Sequence, residues 1–342
     1  MCASAGNHAQ GVAFSASLLK IKAAIFMPAI TPLQKISRVR AFGGPYVEIR
    51  LMGASYDDAY KAAEEYCSGK GASFVHPFDD YKVMSGQGTV GKEIYDKMGD
   101  RPDYLICPVG GGGLISGVST YFKGKSAHAK IIGAEPEGSP SMYESLRQGR
   151  PTSLDRIDTF VDGAAVKRPG GNTFRVVKRL VDDVVLVPEG MVCTTMIEMY
   201  QNEGIVAEPA GALSIAALGL LGKDIRGKTI VCVVSGGNND ILRYPEIMER
   251  SLVYKGLKHY LLIEFSQKPG QLRKFLDKAL GPTDDIVRFE YMKKNSKETG
   301  PALVGVELAK KEDLAPLLKR MDGLELPYKL ISRDDPLYEY LV

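Results

Sequence analysis

Between residues 23 and 253 short apolar runs alternate with helical patterns, and most of those runs carry no polar alternation. A strand that is apolar on both faces has to be covered on both, which is what helices do when they flank a parallel sheet. The runs lie at 23–28, 46–51, 73–76, 104–109, 130–134, 184–187 and 229–234, so a parallel α/β architecture is expected over this stretch. Thr31-Pro32-Leu33-Gln34 offers an N-cap, a proline in the first turn and a glutamine three residues on, which predicts a helix over 31–42 that stops at Gly43-Gly44.

The pattern changes after Lys255. Residues 260–265 alternate, and Leu272, Phe275, Leu276 and Ala279 fall at i, i+3, i+4 and i+7 of a helix. Strands at 286–292 and 302–308 follow, joined by a charged turn containing Gly300-Pro301. A second helix then carries Leu314, Leu317, Leu318 and Met321 before a last strand at 328–332. The order βαββαβ predicts a ferredoxin-like α+β domain over 256–342, behind an α/β domain over 1–255.

Composition narrows the functional classes. Among 342 residues, Lys+Arg 44 against Asp+Glu 41 leaves +3, spread along the chain, so nucleic acid is not an expected partner. Cys2, Cys67, Cys107, Cys193 and Cys232 form no CxxC pair and stand with only four histidines, which argues against a disulfide framework or a zinc site and for a reducing compartment. The longest apolar stretch, 211–222, falls short of the roughly 20 residues that span a bilayer, and no basic residue precedes Lys20. Neither a membrane association nor a signal peptide is expected, and the protein reads as cytoplasmic.

Glycine, at 37 residues, concentrates directly after apolar runs. Gly110-Gly111-Gly112-Gly113 followed by Leu114 sits between a strand and a helix start, where residues without Cβ let backbone N–H groups converge on an anion beside the helix N-terminus. A phosphate cradle is the natural reading; a tight turn without ligand is the plainer one. GxGxxG spacing fails in every frame and no lysine follows as in a nucleotide P-loop, so a Rossmann oxidoreductase is disfavoured. Ser235-Gly236-Gly237-Asn238-Asn239 follows another buried run and shares the carboxyl edge of the sheet. Ser4-Ala5-Gly6-Asn7-His8-Ala9-Gln10 precedes small residues that suit a closely packed helix, whose free N–H groups could hold a carboxylate. Each of these two is also compatible with an ordinary turn or cap.

These motifs, with Glu208-Pro209-Ala210-Gly211-Ala212, stand in the order and rough spacing of pyridoxal-phosphate enzymes related to tryptophan synthase β. Within that group the sequence resembles the biosynthetic threonine dehydratases. Lys268-Pro269-Gly270-Gln271-Leu272 and Phe289-Glu290-Tyr291-Met292-Lys293 resemble their ACT-like regulatory domain, present once. The resemblance implies fold type II, two open twisted α/β sheets with a small subdomain at about 9–98 inserted into a larger one, and a C-terminal ACT-like domain. It implies that Asn7 meets the phenolic oxygen of pyridoxal 5'-phosphate, that Gly110, Gly111, Gly112, Gly113 and Leu114 cradle its phosphate, and that Ser235 faces the pyridine nitrogen. Glu208 is placed near the ring, where a plain helix-start carboxylate is the alternative.

A neutral hydroxyl at the ring nitrogen favours β-elimination over chemistry that needs a long-lived carbanion. Ser4, Ala5, Gly6 and His8 are implied to surround the substrate carboxylate, with His8 binding rather than catalysing. Ala5 stands where serine racemases carry a second serine, and a methyl group transfers no proton. Glu135 matches one carboxylate of the racemase cation site, but Ser141 stands for the other, so no metal is expected. Family members carry a Ser-Phe-Lys segment ahead of the Asn loop, whose lysine forms the Schiff base and moves the α-proton. No lysine here sits in that context, so the large subdomain is expected to be N-terminally incomplete, through truncation or a misassigned start, and no catalytic residue is assigned.

The resemblance therefore implies a lineage of lyases converting L-threonine, and L-serine as a second candidate, to 2-oxo acid and ammonia towards isoleucine. Isoleucine or valine is the implied effector and a homodimer or homotetramer the implied assembly. A catalytically dead protein that binds cofactor and amino acid is the alternative.

Overall fold

The computed structural model of the chain describes residues 1–125, 128–291, 298–332 and 335–342, and it forms two compact units, Met1–Ile241 and Leu242–Val342. The first unit opens with β1 (Cys2–Ala3), α1 (Asn7–Leu19), β2 (Ala23–Met27), α2 (Leu33–Gly43), β3 (Val47–Leu51) and α3 (Tyr56–Lys70), the strands forming a parallel sheet in the order β1-β2-β3. Its central strand β2 is apolar because both faces are covered. Ile25 and Met27 pack with Ala9 and Ala13 of α1 and with Ile36 and Val39 of α2, while Ala24 and Phe26 pack with Ala59 and Ala63 of α3. The alanines of α1 keep that helix thin where it lies on the sheet.

Two expectations are corrected here. The helix over 31–42 begins at Leu33 with Pro32 as its N-cap and no side-chain capping bond. The Thr31 hydroxyl turns back to donate to the Pro28 carbonyl (2.7 Å), so the capping box does not form. The run 73–76 is not a strand. It meets the chain only at Met1, ahead of β1, where Val75 N donates to Met1 O (2.8 Å) and the Met1 amino group donates to Ser73 O (2.8 Å), and a ladder needs pairing at successive residues.

Next, α4 (Tyr81–Met98) is N-capped by Asp80, which accepts from Lys82 N and Val83 N. A second parallel sheet follows, built from β4 (Tyr104–Pro108), α5 (Gly113–Lys125), β5 (Lys130–Pro136), α6 (Ser141–Gln148), α7 (Gly171–Leu180), β6 (Asp183–Val187), α8 (Glu189–Glu203), α9 (Pro209–Ala216), α10 (Leu218–Leu221) and β7 (Ile230–Cys232). The strand order is β6-β5-β4-β7. The core of this sheet joins Leu105, Cys107 and Ile131 to Val118 and Phe122 of α5. Helix α4 lies on α5, not on the small sheet. Gly88 and Gly91 bring its backbone so near to Gly117 and Val118 that a Cβ would stand 3.0–3.2 Å from their carbonyl oxygens. The small sheet also takes in Cys2 and Ala3, ahead of residue 9.

The connectivity decides where a ligand can sit. From β4 the chain proceeds to β5 and β6 on one side and returns through β7 on the other. Strand order therefore reverses between β4 and β7, the point where open α/β sheets bind ligands beyond the carboxyl ends of their strands.

The second unit comprises α11 (Tyr244–Tyr254), β8 (Lys258–Ser266), α12 (Gln271–Lys278), β9 (Asp285–Tyr291), β10 (Thr299–Glu307), α13 (Leu314–Gly323) and β11 (Tyr328–Leu330), an antiparallel sheet in the order β11-β8-β10-β9. It begins earlier than the change of pattern at Lys255 because α11 belongs to it: the Tyr260 hydroxyl donates to Glu249 (2.6 Å), which also pairs with Lys258. Gly300-Pro301 lies inside β10 and is not a turn. Pro301 is opposite Glu264 of β8, whose own N–H donates away from it to Pro327 O (2.9 Å), so the missing N–H interrupts no bond to β8. Of the expected apolar stripe on α12 only Phe275, with Ala279 just beyond, is buried; Leu272 and Leu276 are exposed on its flank. Met292 and Lys293 lie outside the described residues. Among the described residues no helix is long and apolar enough to cross a membrane.

Candidate active site

The Asn loop is assembled by β1. Ser4 N continues the ladder by donating to Phe26 O (3.0 Å), and the Ser4 hydroxyl accepts from Gly6 N (3.2 Å), after which Gly6 caps α1 and Asn7 is its first residue. Asn7 Nδ2 donates to Glu208 Oε1 at 2.7 Å. Ala5, between Ser4 and Gly6, offers only a methyl group. His8 Nε2 lies 3.0 Å from Val75 O, and since a carbonyl only accepts, the ring donates there. Burial holds His8 below its ordinary pKa, so the imidazole is neutral and one nitrogen is committed to the backbone.

Glu208 is the N-cap of α9 and ties this loop to the turn after β7. Its backbone N donates to Gly236 O (3.0 Å) and its Oε2 accepts from Asn238 N (3.1 Å). Burial raises its pKa above the usual carboxylate range, against the opposing effect of those bonds from Asn7 and Asn238. A Cβ at Gly236 would lie 2.5 Å from Glu208 Oε1 and 3.1 Å from Asn7 Nδ2, so a side chain there would push the carboxylate away from its bonds. Ser235 is exposed at the end of this strand. Arg38 of α2 reaches the same turn, donating to Asn238 Oδ1 at 3.2 Å.

The glycine run follows β4. Each member lies against a neighbour: Gly110 against the Ala164 backbone, Gly111 and Gly113 against Phe78, and Gly112, at φ +89°, against Met142 Cε and Thr173. A side chain at Gly112 would meet protein first, so these glycines are required by packing. Among the described residues, no group of the chain accepts from the backbone N–H of Gly110 through Ile115, although Gly111, Gly112, Gly113 and Ile115 are buried. Buried amides of a helix start that lack a partner within the chain fit an anion such as a phosphate monoester. Leu114 is half-buried in the first turn of α5.

Residues 161–164 bridge the two parts of the site, with Ala164 against Gly110 and Gly163 beside Glu208 and Ala210. Asp162 in this bridge pairs with Lys35 of α2 at 2.5 Å. Glu135 is tied to the start of α6. Its buried carboxylate caps α6 by accepting from Met142 N (2.7 Å) and Tyr143 N (2.8 Å), and burial raises its pKa to about 8. Phe78, Asp79 and Thr173 are not singled out by the sequence, and Asn238 stands in a motif that is, without a role of its own. Asp79-Asp80 just ahead of a helix is the signal that could have pointed to Asp79, as an acceptor for a helix N-terminus.

Residues 1–236 match the family of pyridoxal-phosphate dependent enzymes, and residues 249–341 match the C-terminal regulatory domain of threonine dehydratase. The biosynthetic L-threonine dehydratase of Bacillus subtilis (strain 168) is 53% identical over 342 residues, covering 100% of this chain and 81% of that protein. That of Mycobacterium tuberculosis (strain ATCC 25618 / H37Rv) is 48% identical, covering 100% and 80%. Among solved structures, the processed form of threonine deaminase isoform 2 from Solanum lycopersicum superposes with a TM-score of 0.70 at 40% identity, over 74% of this chain and 69% of that one. Maize serine racemase gives 0.67 at 32% identity, over 74% and 77%. The chain belongs to the pyridoxal-phosphate-dependent enzymes of fold type II and, within them, to the biosynthetic threonine dehydratases, whose regulatory domain it carries.

Proposed function

We propose that the protein is a lyase that converts L-threonine to 2-oxobutanoate by β-elimination of water and hydrolytic release of ammonia, with L-serine as an alternative substrate. The observation that carries this reading is the run of buried, unpartnered N–H groups at the start of α5, at the same sheet edge as the Asn7–Glu208–Asn238 cluster. Gly110, Gly111, Gly112, Gly113 and Leu114 hold the phosphate through those amides. Asn7 offers its remaining N–H to the phenolic oxygen, with Glu208 fixing which way the amide faces. Ser235 meets the ring nitrogen with a neutral hydroxyl.

Ser4, Gly6 and the exposed start of α1 bind the substrate carboxylate, while the Ala5 methyl holds no proton for return to the opposite face. When bound, pyridoxal phosphate supplies the electron sink that lets the α-proton leave. No lysine in residues 1–342 is assigned to move that proton. Lys20 and Lys22 follow α1, whose 13 residues put its far end about 20 Å from Asn7.

The second unit senses a branched-chain amino acid, isoleucine or valine, in a cytoplasmic homodimer or homotetramer. Absorbance titration of the 342-residue chain with pyridoxal phosphate tests the reading. Saturable binding that inorganic phosphate competes away is expected. Absence of any cofactor binding overturns the site. Borohydride trapping of cofactor on one of its own lysines, with threonine turnover, overturns the alternative of a catalytically dead protein.

A further inference from the structure

The pentapeptide His76-Pro77-Phe78-Asp79-Asp80 has no role in the chemistry above, yet three helices of the larger sheet start from it or against it. The Phe78 ring lies so close to the glycine run that a Cβ on Gly111 would stand 2.3 Å from it, and one on Gly113 would stand 2.9 Å from Phe78 Cβ. Asp79 fills the N-terminus of α7, with Oδ1 accepting from Asn172 N (2.8 Å) and Thr173 N (3.0 Å) and Oδ2 from Gly171 N (3.0 Å). Thr173 in turn donates its hydroxyl to Gly111 O (2.7 Å). Asp80 caps α4, the helix whose glycines touch α5. Both sides of the glycine run are thus held from one short segment.

What shapes that segment is a single side chain. His76 Nδ1 accepts from Phe78 N (3.2 Å) and Asp79 N (2.8 Å), doing with an imidazole what asparagine and aspartate do in Asx turns. We infer that His76 is a positioning residue for the phosphate loop, its neutral ring fixing Phe78 against Gly111 and Gly113 and Asp79 in the start of α7. The inference rests on the reading that this loop holds the cofactor phosphate.

Accepting two N–H bonds requires a lone pair on Nδ1, so the ring proton is on Nε2 and a second proton would face two donors. The ring is packed by Phe78 (centroids 4.7 Å apart), by Tyr60 of α3 (6.0 Å) and by Phe74 (6.3 Å). Asp79 and Asp80 on its own segment and Glu64 on α3 favour protonation, and His8 on α1 opposes it. Burial is the largest influence and holds His76 below its ordinary 6.5. A histidine whose folded pKa is depressed contributes stability that is complete above the unfolded value and is lost as pH falls below it. Acid should therefore loosen the loop.

The test uses the 342-residue chain with His76→Leu and His76→Asn. Asparagine keeps an acceptor that does not titrate; leucine keeps bulk without one. Deuterium uptake of cofactor-free protein over residues 108–117 and 170–176 at about pH 7.5 should rise roughly tenfold or more in His76→Leu, the cost of leaving two N–H groups unpaired, and about threefold or less in His76→Asn. Pyridoxal phosphate affinity is then titrated at about pH 7.5 and about pH 5.5 in wild type and His76→Asn. Their ratio cancels the phosphate's own ionisation. Wild type should lose at least about fivefold relative to the asparagine variant at the lower pH.

Equal exchange in the two variants, or a ratio independent of pH, overturns the inference. If His76→Leu does not fold, the pH ratio still decides. If wild type binds no cofactor while the exchange contrast stands, the phosphate reading has failed and the positioning role has not.

Discussion

The two glycine-bearing turns of the site are held in opposite ways. In Gly110–Gly113 every Cα lies against a neighbouring residue, and the amides from Gly110 to Ile115 remain available. In the turn after β7 the backbone itself is bonded: Gly236 O and Asn238 N both go to Glu208, and Gly237 lies against Val206 O. A loop that binds an anion through its own N–H groups cannot use them for its own support, so packing has to fix it. A turn that offers a side chain is free to use its backbone. The first should fail when its packing is disturbed, and the second when its carboxylate is removed.

The largest effect is expected at Gly111. A Cβ there would stand 2.3–2.5 Å from Phe78 ring atoms. Gly111→Val should cost about 3 kcal/mol or more in urea unfolding and abolish pyridoxal phosphate binding, since the ring is fixed from behind by His76. Phe78→Ala in the same chain should recover part of the stability. No recovery would mean that packing is not why glycine is needed.

Glu208→Ala comes next, at about 1–3 kcal/mol, because it leaves the Asn7 amide and the Asn238 N–H without their acceptor. The comparison sharpens with pH. Burial raises the folded pKa of Glu208 above its ordinary 4.5, so its contribution is complete below that value and declines as pH rises through the raised one. Glu208→Gln has no such slope, and the stability gap between wild type and this variant should shrink towards neutral pH in urea midpoints. A constant gap would place the raised pKa in doubt.

Much of this contrast was legible in the sequence, and the part that was not has a physical reason. Glycines after apolar runs marked both turns, because only strand ends at a reversing sheet edge need close backbone approach. Glu208 was marked by its place ahead of Pro209, but whether it capped a helix or met the ring could not be separated. It does the first while holding Asn7, 201 positions away along the chain. Phe78 and Asp79 were missed since an aromatic and a carboxylate are uninformative until the partner amides of α7 are known. The error at Gly300-Pro301 has the same origin: proline marks a turn only where its missing N–H would interrupt a ladder, and that depends on which strand lies beside it.

The smallest effect, and the finest test of the contrast, is at Ser235. Its side chain is exposed and, among the described residues, makes no bond in the turn, whose geometry is set by Glu208 and the close approaches around Gly236 and Gly237. Ser235→Ala should therefore leave unfolding within about 0.5 kcal/mol of wild type, as for surface changes that break no cap or core contact. If the hydroxyl meets the ring nitrogen, losing one neutral hydrogen bond should still weaken pyridoxal phosphate binding by about three- to tenfold and move the absorbance band of the bound chromophore. Stability would then be insensitive at a position where affinity is not, the reverse of Gly111, where the two fall together. A Ser235→Ala chain that loses stability as well as affinity would show that the hydroxyl supports the turn, and the distinction between a packed loop and a bonded one would no longer separate scaffold from contact.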